Sequence, residues 1–283
     1  MTVVVAVLAG LAAAVVIERA TRATFAQPVL DRKNYRGHHL PTAAGLLLVI
    51  SVIAIEGIRA LAAVAGIADG PVASARAVVL VAVVTFGFLG LVDDLLGDNA
   101  EKGLSGHLRA LRHGRATTGL LKLGGGAAVA LFLAVAIVGD RPGRALVDGA
   151  LIALAANMGN LFDRAPGRTL KVGLVAYVPI AVIAAGSATG VALGVVAGAA
   201  LGLLPGDLRE RSMVGDTGAN ALGAALGMAT VLEAGETVRS VVMVVLLALT
   251  LVSEKVSFSR IIVRVRPLAL ADRLGRRPEA TSP

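Results

Sequence analysis

Eight stretches of this chain run for 14 residues or more without a charged side chain, and that pattern leaves few folds open. They cover 2–17, 40–55, 77–92, 123–139, 149–162, 172–206, 217–232 and 240–253. A single bilayer crossing needs ~20 apolar residues, so the 35 residues of the sixth run are too many for one helix. Gly186-Ser-Ala-Thr-Gly190 lies at its middle and reads as a turn, which divides the run and raises the count to nine. Composition agrees: 56% of residues are apolar and 16% charged, against ~45–50% and ~25% in soluble domains. The apolar mass is small and aliphatic, with 34 Gly and no Trp, which suits close helix packing in lipid. The expectation is an all-α polytopic membrane protein of about nine transmembrane helices. One transmembrane domain covers 1–258 and a basic tail covers 259–283. Disordered-tail, coiled-coil and disulfide-scaffold classes are excluded. The absence of Cys removes thiolate metal sites and Cys nucleophiles.

The net charge of +8 matters less than where it falls. Loops 18–39, 93–122, 163–171 and 207–216 and the segment 254–283 hold 5, 5, 3, 2 and 7 of the 27 Lys and Arg residues. The other five are Arg59, Arg76, Arg141, Arg144 and Arg239, all in the intervening loops or span ends. The positive-inside rule then places the N-terminus outside and the C-terminus in the cytoplasm of a multi-pass inner-membrane protein. The first run lacks a basic leader and is read as a retained span rather than a signal peptide. The basic tail Arg260–Arg277 is open to two readings, contact with the anionic leaflet or topology-setting charge, of which the second is preferred. No partner among nucleic acids is implied.

Carboxylates at membrane ends are costly unless they are used. Asp93 and Asp94 close the third span, Asp163 closes the fifth, and Asp216 opens the eighth. All fall on the basic face. Hard oxygens of this kind suit Mg²⁺ or Mn²⁺, which take one or two carboxylates together with substrate phosphates. Asn157, Asn160 and Asp163 recur every three residues and are expected on one helical face. Adjacent Asp93 and Asp94 point to different faces. Gly215-Asp-Thr-Gly218 at a helix start is open to two readings, a phosphate cradle of backbone N–H groups or a capped helix. Lys122 enters a span and requires an anionic partner. Lys102, Arg109, Arg164, Arg168 and Lys171 are further cations on this face.

Four ordered blocks resemble the polyprenyl-phosphate N-acetylhexosamine-1-phosphate transferases, which include the translocase making lipid I. They are Arg36-Gly37 with Pro41-Thr42-Ala-Ala-Gly45, Asp93-Asp94 with Gly103-Leu-Ser105, Asn157-x-x-Asn160-x-x-Asp163, and Gly215-Asp-Thr-Gly218 with Leu222-Gly223. The resemblance implies transfer of a sugar-1-phosphate from a UDP-sugar to a polyprenyl phosphate in envelope-precursor synthesis, with release of UMP. It implies catalytic roles for Asp93, Asp94 and Asp163, a Mg²⁺ or Mn²⁺ ion on Asp216 and Asp94, and substrate contacts from Asn157, Asn160, Lys122, Thr42, Gly215 and Gly218. A homodimer is compatible with it. The chain departs from the pattern in Arg164-Ala-Pro-Gly-Arg168, in Ala219, and in having no histidine after His113. Two alternatives stand beside the enzyme: a non-catalytic protein on the same scaffold binding a polyprenyl phosphate or lipid-linked precursor, and a small transporter. The position of the acids at span ends disfavours the transporter.

Overall fold

The computed structural model describes residues 1–67, 74–97, 110, 112–114 and 117–278. Lys102, Arg109 and the Gly103-Leu-Ser105 block lie outside the described residues. Among the described residues nine helices of 16 to 23 residues make the body: α1 (Val3–Phe25), α2 (Gly45–Val64), α3 (Ser74–Leu96), α4 (Thr118–Val138), α5 (Pro142–Phe162), α6 (Arg168–Ile183), α7 (Ala188–Leu208), α8 (Gly215–Glu233) and α9 (Glu236–Ser253). Two short helices follow, α10 (Phe258–Arg264) and α11 (Arg266–Arg273). The chain is therefore an all-α protein with one small addition. An antiparallel hairpin of β1 (Asp31–Lys33) and β2 (His39–Pro41) stands between α1 and α2.

Among the described residues seven helices are long and apolar enough to cross a membrane, which fits a polytopic protein. The two that fall short of that description are α6, with 16 residues, and α8. Helix α8 carries Asp216, Thr217 and Asn220 and is buried along nearly its whole length by other helices. Its surroundings are protein, so it does not need an apolar surface. Local signals set the boundaries. Thr2, Thr117 and Ser187 cap α1, α4 and α7 by accepting from the N–H three residues on. Gly186, at φ +81°, makes the turn between α6 and α7 where the long run was divided.

Small residues decide the packing. A Cβ on Gly10 would lie 2.1 Å from the Val195 carbonyl oxygen, and one on Gly198 would lie 2.0 Å from that of Val7, so α1 and α7 touch backbone to backbone. Helix α8 is held in the same way on two sides, at Gly90 of α3 and Gly159 of α5.

Polar contacts define two ends of the bundle. At one end Glu56 of α2 meets Arg76 of α3, and Asp148 of α5 takes Arg144 and Arg239. Arg141 pairs with Glu236 there as well. Asp148 is fully buried. Removing it would take the carboxylate from two arginines, which keep only neutral acceptors at Glu236 O, Ser240 Oγ and Val231 O, so Asp148→Ala should lose about 3–5 kcal/mol of stability. A drop in the melting temperature of the detergent-solubilised protein checks this; an unchanged value counts against the clamp. The other end gathers the hairpin, the C-termini of α1, α3, α5 and α7, and the N-termini of α2, α4 and α8.

Candidate functional site

At that second end the start of α8 is the organising element. Gly215 adopts φ +68°, and the following N–H groups point at α3. Asp94 receives them. Its Oδ1 accepts from Asp216 N at 3.0 Å, and its Oδ2 accepts from Thr217 N at 3.0 Å and Thr217 Oγ1 at 2.6 Å. Thr42 Oγ1 reaches Oδ1 at 3.5 Å. A carboxylate from α3 thus caps α8 in trans, satisfying orphan donors and opposing the positive helix end. The phosphate-cradle reading of Gly215-Asp-Thr-Gly218 gives way for a physical reason: the anion at those N–H groups is Asp94 itself.

The glycines and Thr42 serve the same knot. A Cβ on Gly215 would lie 2.6 Å from Asp94 Oδ2, and a Cβ on Gly45 would lie 2.0 Å from Gly218 N. Thr42 is 4% exposed, and Gly215 and Gly218 are buried. These three residues are packed against protein rather than open to a ligand. Ala43, at φ +58°, carries the chain through this turn in a left-handed conformation unusual for a residue with a side chain.

Asp93, one position earlier on α3, faces α4 instead. Lys122 Nζ donates to Asp93 Oδ2 at 2.6 Å and also to Asp216 Oδ2. Asn160, its amide oriented to suit both neighbours, donates to Asp216 Oδ1 at 2.5 Å and accepts from Lys122 at 3.1 Å. Four helices, α3, α4, α5 and α8, therefore deliver Asp93, Lys122, Asn160 and Asp216 to one point. Lys122 finds there the anionic partners that a charge entering a span requires.

The expected triplet on α5 separates. Asn157 reaches across to Thr250 Oγ1 of α9, at 3.5 Å. Asp163 lies beyond the end of α5, in a non-helical conformation, so helical spacing no longer governs its direction. It lines a polar cleft of about 400 Å³ together with Lys33, Asn34, Tyr35, Arg164 and Asp207. Burial, with the charges of Asp207, Asp216 and Asp94 added, pushes the Asp163 carboxyl well above the usual carboxylate range, and Arg164 offsets this only in part.

Two acids in this region escaped the sequence reading. Asp207, 5% exposed, accepts from Gly167 N at 2.6 Å and Val214 N at 3.3 Å, tying the α5–α6 loop to the approach of α8. Glu210, at φ +52°, holds the hairpin through Asn34 Nδ2 at 2.8 Å and Arg36 Nε at 3.4 Å. The only sequence hint was that each is an acid at a span end, which is also true of Glu18 and Glu233.

The segment Arg164-Ala-Pro-Gly-Arg168 has a use of its own. Arg168 donates to both oxygens of Asp272, at 2.8 and 3.0 Å, and to Ser259. Arg276 joins Asp272 and the Pro166 carbonyl. Lys171 donates to the carbonyls of Ala271, Asp272 and Leu274, the C-terminal turn of α11. Arg168 and Lys171 are thus tail anchors. Burial raises the Asp272 pKa, but the Arg168 hydrogen bonds and the Arg168, Arg276 and Lys171 charges outweigh it and leave a net lowering. That stabilisation is present above the ordinary carboxylate pKa of ~3.9 and lost as pH falls through the lower folded value. Asp272→Asn should undock the tail at neutral pH and speed tryptic cleavage at Arg273 and Arg276 by about tenfold or more. Equal cleavage rates would remove the anchor.

An apolar groove of about 430 Å³ begins beside these elements. Its walls come from α5, α6, α8 and α9, from Gly159, Phe162 and Thr169 at the site end to Thr230, Ala234 and Val238 at the other. Helix α9 contributes Val242 and Leu246 and has no buried residue.

Compared with known proteins, the chain matches no protein-family model and no curated protein.

Proposed function

We propose that the chain is a sugar-1-phosphate transferase of the inner membrane, moving the phospho-sugar of a UDP-sugar onto a polyprenyl phosphate. The observation that carries this is the meeting of Asp93, Lys122, Asn160 and Asp216 at one point of four helices, two of which, α5 and α8, also wall an apolar groove with α6 and α9. A lipid phosphate needs that combination: a charged point at the lipid–water boundary and a long apolar slot for its chain. In this reading all nine long helices span the bilayer, the N-terminus is outside, and the site faces the cytoplasm.

An oxygen of the acceptor phosphate attacks the β-phosphorus of the UDP-sugar. The bond from that phosphorus to the bridging oxygen of the α-phosphate breaks, and UMP leaves. A phosphate monoester has its second pKa near ~6 and is largely dianionic at neutral pH, so little general-base help is required. Lys122 supplies positive charge where oxygens become more negative. Asn160 orients Asp216. Asp94 positions the start of α8 and does not touch substrate. Asp163 faces the adjoining polar cleft, which would take the nucleoside end of the donor.

The oxygens of Asp93, Asp216 and Asn160 fit Mg²⁺ in their chemistry, being hard and all-oxygen. They would hold the ion with diphosphate oxygens completing its shell. Bound there, it would neutralise the diphosphate and polarise the phosphorus.

A second reading has specific support. Arg168 and Lys171 are committed to the tail and Lys122 to two carboxylates, as in a scaffold that binds a lipid-linked precursor without turning it over. Purified protein with Mg²⁺, polyprenyl phosphate and a panel of UDP-sugars decides between them. The transferase reading expects UMP release with at least one sugar; none with any sugar supports the binder.

A further inference from the structure

We infer that Lys122 and a divalent cation compete for the same oxygens, so that the cation binds only when a diphosphate draws Lys122 away. The inference rests on the transferase reading for the diphosphate.

The ammonium of Lys122 is held by Asp93 Oδ2 at 2.6 Å, by Asp216 Oδ2, and by the Asn160 amide oxygen at 3.1 Å. The side chain is 15% exposed, so it is committed to these partners rather than dangling in water. Mg²⁺ takes hard oxygen ligands, and Asp93 and Asp216 would have to give it the oxygens that now hold Lys122. Charge argues in the same direction. Two carboxylates balance one divalent ion, or leave one negative charge with the ammonium. Both cations together exceed the charge of these two carboxylates. A lysine on a flexible four-carbon stem can swing, but only toward another anion, because its charge lies at the edge of the membrane.

A second observation is independent of Lys122. Among the described residues no three His, Asp or Glu side chains form a group able to hold a metal ion. Asp94 is spent on α8, and Asp163 faces the neighbouring cleft. The described residues therefore offer too few ligands alone, and phosphate oxygens would supply the rest. One arriving diphosphate meets both needs: it accepts Lys122 and completes the shell of the ion that replaces it.

Mn²⁺ electron paramagnetic resonance on the purified, detergent-solubilised chain tests this without any turnover. Without nucleotide, the wild type should bind Mn²⁺ weakly. Lys122→Met should bind it about tenfold or more tightly, and Lys122→Met with Asp216→Asn should return to weak binding. Lys122→Gln, which keeps a polar head for Asn160, provides the same comparison if the Met variant folds poorly. Mg²⁺ should raise the melting temperature of the Lys122 variants more than that of the wild type. Equal affinities in wild type and Lys122 variants, or tight wild-type binding, would overturn the competition while leaving UMP release untouched. Competition in a protein that releases no UMP would uphold the inference and remove the transferase reading alone.

Discussion

Asp216→Asn should abolish turnover, lowering the rate by about 10³-fold, while leaving the protein folded. The expectation follows from how α8 is anchored. The backbone of residue 216 is held by Asp94, so the side chain can change without loosening the helix. Asparagine keeps the size and one oxygen but removes the negative charge that meets Lys122 and, in the proposed reaction, Mg²⁺. Fluorescence-detected size exclusion checks folding, and UMP release checks rate. A folded variant with a rate within a few-fold of wild type would remove Asp216 from the chemistry.

Asp94→Asn should fail differently, losing both activity and stability. Both Asp94 oxygens accept hydrogen bonds, three of them from the first turn of α8. An asparagine amide must turn an NH₂ group toward an N–H or hydroxyl donor, leaving buried donors unpaired at a positive helix end. Charge-assisted bonds of this kind contribute about 1.5–3 kcal/mol each, so a loss of about 2–4 kcal/mol is expected. The melting temperature should fall clearly for Asp94→Asn and little for Asp216→Asn. If both variants melt like the wild type, Asp94 is not the anchor of α8.

These two aspartates also show where sequence reasoning stops. The apolar runs, the turn at Gly186 and the split directions of Asp93 and Asp94 were legible because each depends on residues within one or two helical turns. Which of the two acids would meet α8 was not legible. It depends on α8 approaching α3 at Gly90, where a Cβ would lie 2.3 Å from the Asp216 carbonyl oxygen. Lys122 was identifiable by cost alone, as a charge entering a span, but its partners are 29 and 94 residues away. The Asp207 staple, the Asp148 clamp and the Arg168–Asp272 anchor are likewise long-range, linking residues 40, 91 and 104 apart. No periodicity encodes such pairings. The triplet Asn157, Asn160 and Asp163 misled for the opposite reason. Its spacing is helical, but the helix ends at Phe162 before Asp163, and within the helix Asn157 meets α9 while Asn160 meets α8 and α4.

In the proposed reaction a phosphorus atom moves from nucleotide to lipid at the point where four helices meet. The most direct measurement supplies a UDP-sugar labelled with ³²P at the β-position, together with polyprenyl phosphate and Mg²⁺, and follows the label into the organic phase. Extractable label is expected with the wild type and none with Asp216→Asn. Label that stays aqueous with every sugar, or that reaches the lipid equally well without the Asp216 carboxylate, would contradict that reaction.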